Sequence, residues 1–115
     1  MFFVDVDTGA RLSQFMISRS RQKETPDYCS AHMGNVVPAS DRYLLVNAWY
    51  TGGVDVIDFS NPRAPKEVAY FVPPATENPV KPSQRGVLTN TAQGWGVVVD
   101  EATGLVYASD MNSGL

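Results

Sequence analysis

The feature that most constrains this chain is the run from Tyr43 to Phe71, YLLVNAWYTGGVDVIDFSNPRAPKEVAYF. Tyr43 to Tyr50 and Val54 to Ser60 are rich in β-branched, aromatic and aliphatic residues, and Thr51-Gly52-Gly53 between them suits a tight hairpin. Asn61-Pro62-Arg63-Ala64-Pro65 then breaks the chain. Its two prolines fix φ and remove two backbone donors, so the segment cannot continue a ladder and must turn before Glu67 to Val72 forms a third strand. The result is an antiparallel meander. Leu44, Val46, Ala48 and Tyr50 fall on one face of the first strand and Tyr43, Leu45, Asn47 and Trp49 on the other. Both faces are largely apolar, which predicts a sheet buried on both sides.

The N-terminal part carries the same pattern. Phe2 to Asp7 reads as a strand, Thr8-Gly9 as a turn, and Arg11 to Ile17 as a return strand. Val4-Asp5-Val6 superposes on Ile57-Asp58-Phe59, and Leu12 to Phe15 on Val68 to Phe71. At the other end Trp95 to Asp100 is a strand, Glu101 to Gly104 a hairpin loop and Leu105 to Asp110 the return, with Val106 laid on Val46. Equivalent strands recur at offsets of roughly 53 to 61 residues, which suits a repeat architecture with variable loops.

Leu45-Val46-Asn47-Ala48, the glycine pair, Val54-Asp55-Val56-Ile57-Asp58-Phe59-Ser60-Asn61-Pro62 and Pro65-Lys66-Glu67 resemble one unit of the LVIVD-repeat family. Cys29-Ser30-Ala31-His32-Met33-Gly34-Asn35 and Ala48-Trp49-Tyr50-Thr51-Gly52-Gly53 are similar to a bacterial subgroup of it. The resemblance implies a β-propeller in a secreted or envelope-associated protein, without a common enzymatic activity. The expected fold is all-β, in antiparallel four-stranded blades of a β-propeller, with about two blades present and the ring incomplete. Residues 1–17 are then the outer two strands of a preceding blade, 18–27 a loop, 28–72 one complete blade, 73–91 a Pro-rich loop, and 92–115 the inner two strands of a following blade. On this reading the chain is part of a longer propeller, because repeat units bury their faces against neighbours.

Composition narrows the partners. The net charge is −3 with a pI near 4.9. That argues against nucleic acid, since nothing here neutralises many phosphates. The basic cluster Arg19, Arg21 and Lys23 reads as a solvated loop. No run of apolar residues is long enough to span a membrane. The single cysteine makes no internal disulfide.

The candidates for chemistry are few. Cys29 and His32 have a Cys-x-x-His spacing that is a weak metal candidate, since two side chains do not complete a site and a regular strand points them to opposite faces. The bland alternative has Cys29 buried and His32 bonding between neighbouring strands. His32 and Asn35 otherwise read as polar groups facing a central channel. Trp49, Tyr50 and Trp95 read as packing residues between blades or, at a rim, as a stacking platform for a sugar or peptide. The recurring Asp residues at strand ends suit turns, and their spacing does not meet that of a calcium loop. No phosphate loop, nucleophile elbow or zinc-protease helix occurs, and no cofactor is expected. The sequence therefore points to a binding or protein-interaction scaffold whose partners are the remaining blades and a protein or carbohydrate ligand. The rival is a metal-dependent propeller enzyme with its site near His32.

Overall fold

A computed structural model describes residues 1–21, 30–38, 41–74 and 94–111. The protein is all-β over these residues, apart from one short 3-10 turn at Ser18–Arg21. Strands β1 (Phe2–Val4) and β2 (Arg11–Gln14) form one hairpin. Strands β3 (Ala31–Pro38), β4 (Tyr43–Trp49), β5 (Gly53–Asp58) and β6 (Lys66–Phe71) form a four-stranded antiparallel meander in that order. Strands β7 (Gly94–Asp100) and β8 (Leu105–Asp110) form a second hairpin. Among the described residues the three sheets do not close into a ring, and no helix is long and apolar enough to cross a membrane.

The expected strands are present with ends shifted by one to three residues, and three of the strands close on an Asp side chain. The first strand stops at Val4 rather than Asp7 because the Asp5 carboxylate accepts from the backbone of Asp7 and Thr8 and from the Thr8 hydroxyl. Asp58 ends β5 by accepting from Ser60 N–H, and Asp100 ends β7 by accepting from Ala102 N–H and the Thr103 hydroxyl. Each is an Asp that bonds the backbone ahead of it and so competes with the ladder. The expected second strand ends at Gln14 instead of Ile17, and the loop expected from Ser18 opens with the 3-10 turn. Most of that loop, most of the Pro-rich loop and Cys29 lie outside the described residues.

The repeat is visible in the irregularities of the pairing. In the β3–β4 pair Ala31 faces Trp49 and Gly34 faces Asn47, leaving an extra residue on β3. In the β7–β8 pair Gly94 faces Asp110 and Val97 faces Ala108, leaving an extra residue at the same place on β7. Likewise Phe3 faces Ser13 and Val4 faces Arg11 in β1–β2, as Val56 faces Ala69 and Ile57 faces Glu67 in β5–β6. Thus β7–β8 has the register of β3–β4, and β1–β2 that of β5–β6, with Val4 on Ile57 and Leu12 on Val68 as expected. One superposition needs correction. The register sets Tyr107, not Val106, on Val46, because Asp110 stands where Trp49 does.

The central sheet is covered on both faces along its middle strands β4 and β5. Its outer strands β3 and β6 are largely exposed, so the expected burial on both sides holds for the middle of the sheet and not for all of it. Val46 and Ala48 pack against Val97 of β7, with Val37, Val54, Val56, Val99 and Ala108 around them. On the opposite face Ile57 is buried, as is Ile17 from the segment after β2, while Phe3 stacks near Phe59 and the Ser13 hydroxyl donates to the Pro62 carbonyl at 2.6 Å. Burying each such aliphatic side chain contributes about 1.5–3 kcal/mol, so the two hairpins hold the meander by its two faces.

Gly53 turns β4 into β5 at φ 76°, where an added Cβ would run into the Phe71 carbonyl and come within 2.8 Å of Val72 Cα. Gly53→Ala should therefore lose more than the about 1–2 kcal/mol that a left-handed residue costs through φ alone, measured by urea denaturation of the two proteins.

Candidate functional site

The extra residues of the two bulges meet. A bulge departs from the two-residue alternation and re-aims a side chain. His32 on β3 and Trp95 on β7 occupy equivalent positions in their bulges, at one end of the seam between the central sheet and the β7–β8 hairpin. Their ring centroids lie 4.2 Å apart, with Tyr50 edge-on at 5.1 Å from His32 and 6.1 Å from Trp95. His32 Nδ1 hydrogen-bonds the Trp95 carbonyl. A carbonyl only accepts, so Nδ1 carries the proton, and in neutral His32 the Nε2 atom is left as an acceptor. Asn35 Nδ2 donates to the Val97 carbonyl further along the same seam. Two β3 side chains thus bond the backbone of β7, which is the interstrand role expected for His32.

Gly94 lets the sheets come this close. Its N–H donates to the Tyr50 carbonyl at 2.7 Å, and a Cβ there would lie 2.7 Å from the Trp49 carbonyl oxygen. Tyr50 is in turn held by its own N–H to the Ser30 carbonyl at 3.3 Å. The cluster is partly open: Trp95 keeps 45% of its surface exposed and His32 is exposed. The arrangement offers an indole and a phenol ring beside an imidazole acceptor, suited to stacking with one directed hydrogen bond.

His32, Asn35, Tyr50 and Trp95 are therefore brought together along the seam, and Trp49 is not. Trp49 is 2% exposed and faces the other way, beside Asn47 and Asp55, because successive residues of β4 alternate between faces. It belongs to the interior and not to a stacking platform. Among the described residues no group of three or more His, Cys, Asp or Glu could hold a metal ion, and Cys29 lies outside them.

That inner face holds a polar group that the sequence reading did not single out. Asp55 is 0% exposed, and among the described residues neither of its carboxylate oxygens has a hydrogen-bond partner. Burial pushes its pKa up to about 7. The Trp49 indole N–H pulls it down, the Glu67 carboxylate pushes it further up, and the Arg19 guanidinium again pulls it down. The indole lies close enough to act electrostatically, but Nε1 completes no hydrogen bond among the described residues. Arg19 comes from the 3-10 turn, pairs with Glu67 at 2.7 Å, donates from Nε to the Gly52 carbonyl and lies 4.0 Å from the Tyr70 ring centre. It is a mostly buried structural cation and not the solvated residue expected. The only signal in the sequence was an Asp between two valines on the same strand face as Ile57.

Because the folded-state pKa of Asp55 lies above its ordinary 3.8, the folded protein holds that proton longer than the unfolded chain. Stability should fall as pH rises from about 4 to about 7 and level off above, by up to about 4 kcal/mol. Asp55→Asn should abolish that slope, seen by comparing urea midpoints at pH 5 and pH 8. Asp5, Asp58 and Asp100 act in a separate window. Turn hydrogen bonds lower their pKa values, led by the Thr8 side chain for Asp5, the Ser60 backbone for Asp58 and the Thr103 side chain for Asp100. Their contribution is present above 3.8 and is lost as pH falls through the lower folded values.

No protein-family model, no curated protein and no solved structure matches the chain.

Proposed function

We propose that the chain supplies consecutive blade units of a β-propeller of the LVIVD-repeat kind and acts as a binding scaffold, in a protein secreted or held at the cell envelope. The architecture is supported by the repeated registers, by the burial of the middle strands β4 and β5 on both faces and by the packing of β7 against β3 and β4. Equivalent strands lying side by side in successive sheets are what a propeller does with its innermost strands.

The observation that carries the binding role is the half-open cluster of Trp95, His32 and Tyr50 at the end of the seam. Aromatic rings left in water at a sheet junction, fixed by backbone hydrogen bonds, form a preorganised surface for a flat apolar partner. The ligand class is a neutral sugar ring, or an aromatic or proline side chain of a peptide. His32 Nε2 accepts a hydroxyl or amide hydrogen, and Trp95 supplies the stacking face. The net negative charge of the chain favours neutral or basic ligands over acidic ones.

The two tryptophans make this measurable, since one is enclosed and the other half-exposed. Titration with a set of neutral oligosaccharides and a set of aromatic- and proline-containing peptides should shift the emission of Trp95. Trp95→Ala should remove binding while the Trp49 emission and the thermal transition persist. A shift that survives Trp95→Ala, or no shift with any member of either set, overturns the reading.

A further inference from the structure

We propose that residues 17–21 form a proton-locked strap, which lies closed across β5 while the Asp55 carboxyl is neutral and lifts from β5 and β6 when Asp55 ionises. The inference stands on contacts among the described residues. It depends neither on ligand binding by the aromatic cluster nor on the propeller reading.

The segment after β2 runs the length of β5. It begins where the Ser13 hydroxyl donates to the Pro62 carbonyl, in the turn beyond the end of β5, and through Arg19 Nε it reaches the Gly52 carbonyl just before the start of β5. Between these ends Ile17 is fully buried. Arg19 is the far fastening: its guanidinium pairs with Glu67 at 2.7 Å and lies over the Tyr70 ring, so it reaches across β5 from the β4–β5 turn to β6. Tyr70 is the partner of Asp55 in the β5–β6 pair, which puts the cation over the face of the sheet that carries Asp55.

The charges around Asp55 balance only while it is neutral. From β6 it meets Glu67 and the Tyr70 phenol, from the 3-10 turn Arg19, and from β4 the uncharged Trp49 and Asn47. With Asp55 neutral, Arg19 and Glu67 make a pair of zero net charge. With it ionised, two carboxylates share one cation in an enclosed site, and neither Asp55 oxygen completes a hydrogen bond among the described residues. Burial is the largest influence on this carboxyl and opposes its ionisation, while the attraction of Arg19 is a smaller one in the other direction. The hydration gained by lifting the strap therefore outweighs the attraction lost with it.

The strap responds before the sheet does. Asp55 and Trp49 sit in strands paired on both sides, whereas the strap is a single short turn docked through Ile17 and Arg19. Such lightly held segments open locally at less cost than a core strand. The β1–β2 hairpin keeps its own fastenings at the other end of β5, Phe3 beside Phe59 and Ser13 on Pro62, and these serve as the hinge. The closed strap holds the Asp55 proton more tightly than the open one, so release grows as pH rises from about 4 to about 7 and levels off above.

Hydrogen exchange of the 115-residue chain at pH 5 and pH 8, corrected for the intrinsic pH dependence of the amide reaction, tests this. The carboxyl titrates at about 7 when enclosed and near 3.8 once hydrated, so the peptide over residues 15–21 should exchange faster at pH 8 by tens of fold, up to about a hundredfold. Because the opening is local, that rate should depend only weakly on urea, unlike the rates of β4. Asp55→Asn should remove the pH effect. Trypsin gives a second readout, since cleavage after Arg19 requires its guanidinium to leave Glu67 and Tyr70. At pH 8 the native chain should be cut there at least about tenfold faster than the Asp55→Asn variant. Strap exchange that does not change with pH, or that follows β4 in its urea dependence, would overturn the proposal. So would a pH effect that persists in Asp55→Asn, or equal cleavage of the two proteins after Arg19.

Discussion

The close approach of two backbones at Gly94 is the contact on which the arrangement of sheets depends. The N–H of Gly94 reaches the Tyr50 carbonyl only because nothing projects from its Cα toward Trp49. That distance sets how deeply Val97 enters between Val46 and Ala48, and how near His32 and Trp95 come. The seam is apolar in its middle and hydrogen-bonded along its β3 side, where Asn35 and His32 bond to carbonyls of β7. Packing supplies most of the attraction in such a seam. The polar contacts determine which residues face each other.

Much of this was legible in the sequence because it depends on local chemistry. Asp58, accepting from Ser60, ends β5, two prolines shape the turn that follows, and Gly-Gly between apolar runs makes the β4–β5 turn. Two-sided apolar patterning in Tyr43 to Trp49 matches a strand whose Val46–Trp49 half is buried on both faces, although the sheet around it is not buried throughout. The recurrence of Val-Asp-Val near the start and Ile-Asp-Phe in the middle revealed the repeat. What escaped was set by tertiary register. A bulge adds one residue, and no propensity marks where, so the offset of β8 against β4 was read one position out. For the same reason Trp49 and Tyr50 read alike, as packing residues or as a rim platform, although one is enclosed and the other lies at the seam. Arg19 looked like part of a solvated basic stretch because nothing nearby in sequence announces Glu67 and Tyr70 as its partners.

Asp55 is the local conflict in an otherwise consistent chain. A carboxylate enclosed beside Trp49, with no completed hydrogen bond among the described residues, opposes folding when ionised, and Arg19 relieves it only in part because that cation is already engaged by Glu67. The same cation ties the segment after β2 to β5 and β6 through Gly52 and Tyr70. The charge state of one buried acid therefore bears on how firmly the N-terminal hairpin is held against the central sheet.

The bulges separate two demands that a regular strand would force onto the same residues. Along β3 and β7 the residues that reach the core, Val37, Val97 and Val99, are branched apolar side chains fixed by the strand alternation. The residue that the bulge adds stands outside that alternation, and it is His in one sheet and Trp in the next. Chemical variety at the end of the seam thus comes without altering the interior. A stack of such sheets can carry a different side chain at each junction while every junction packs in the same way.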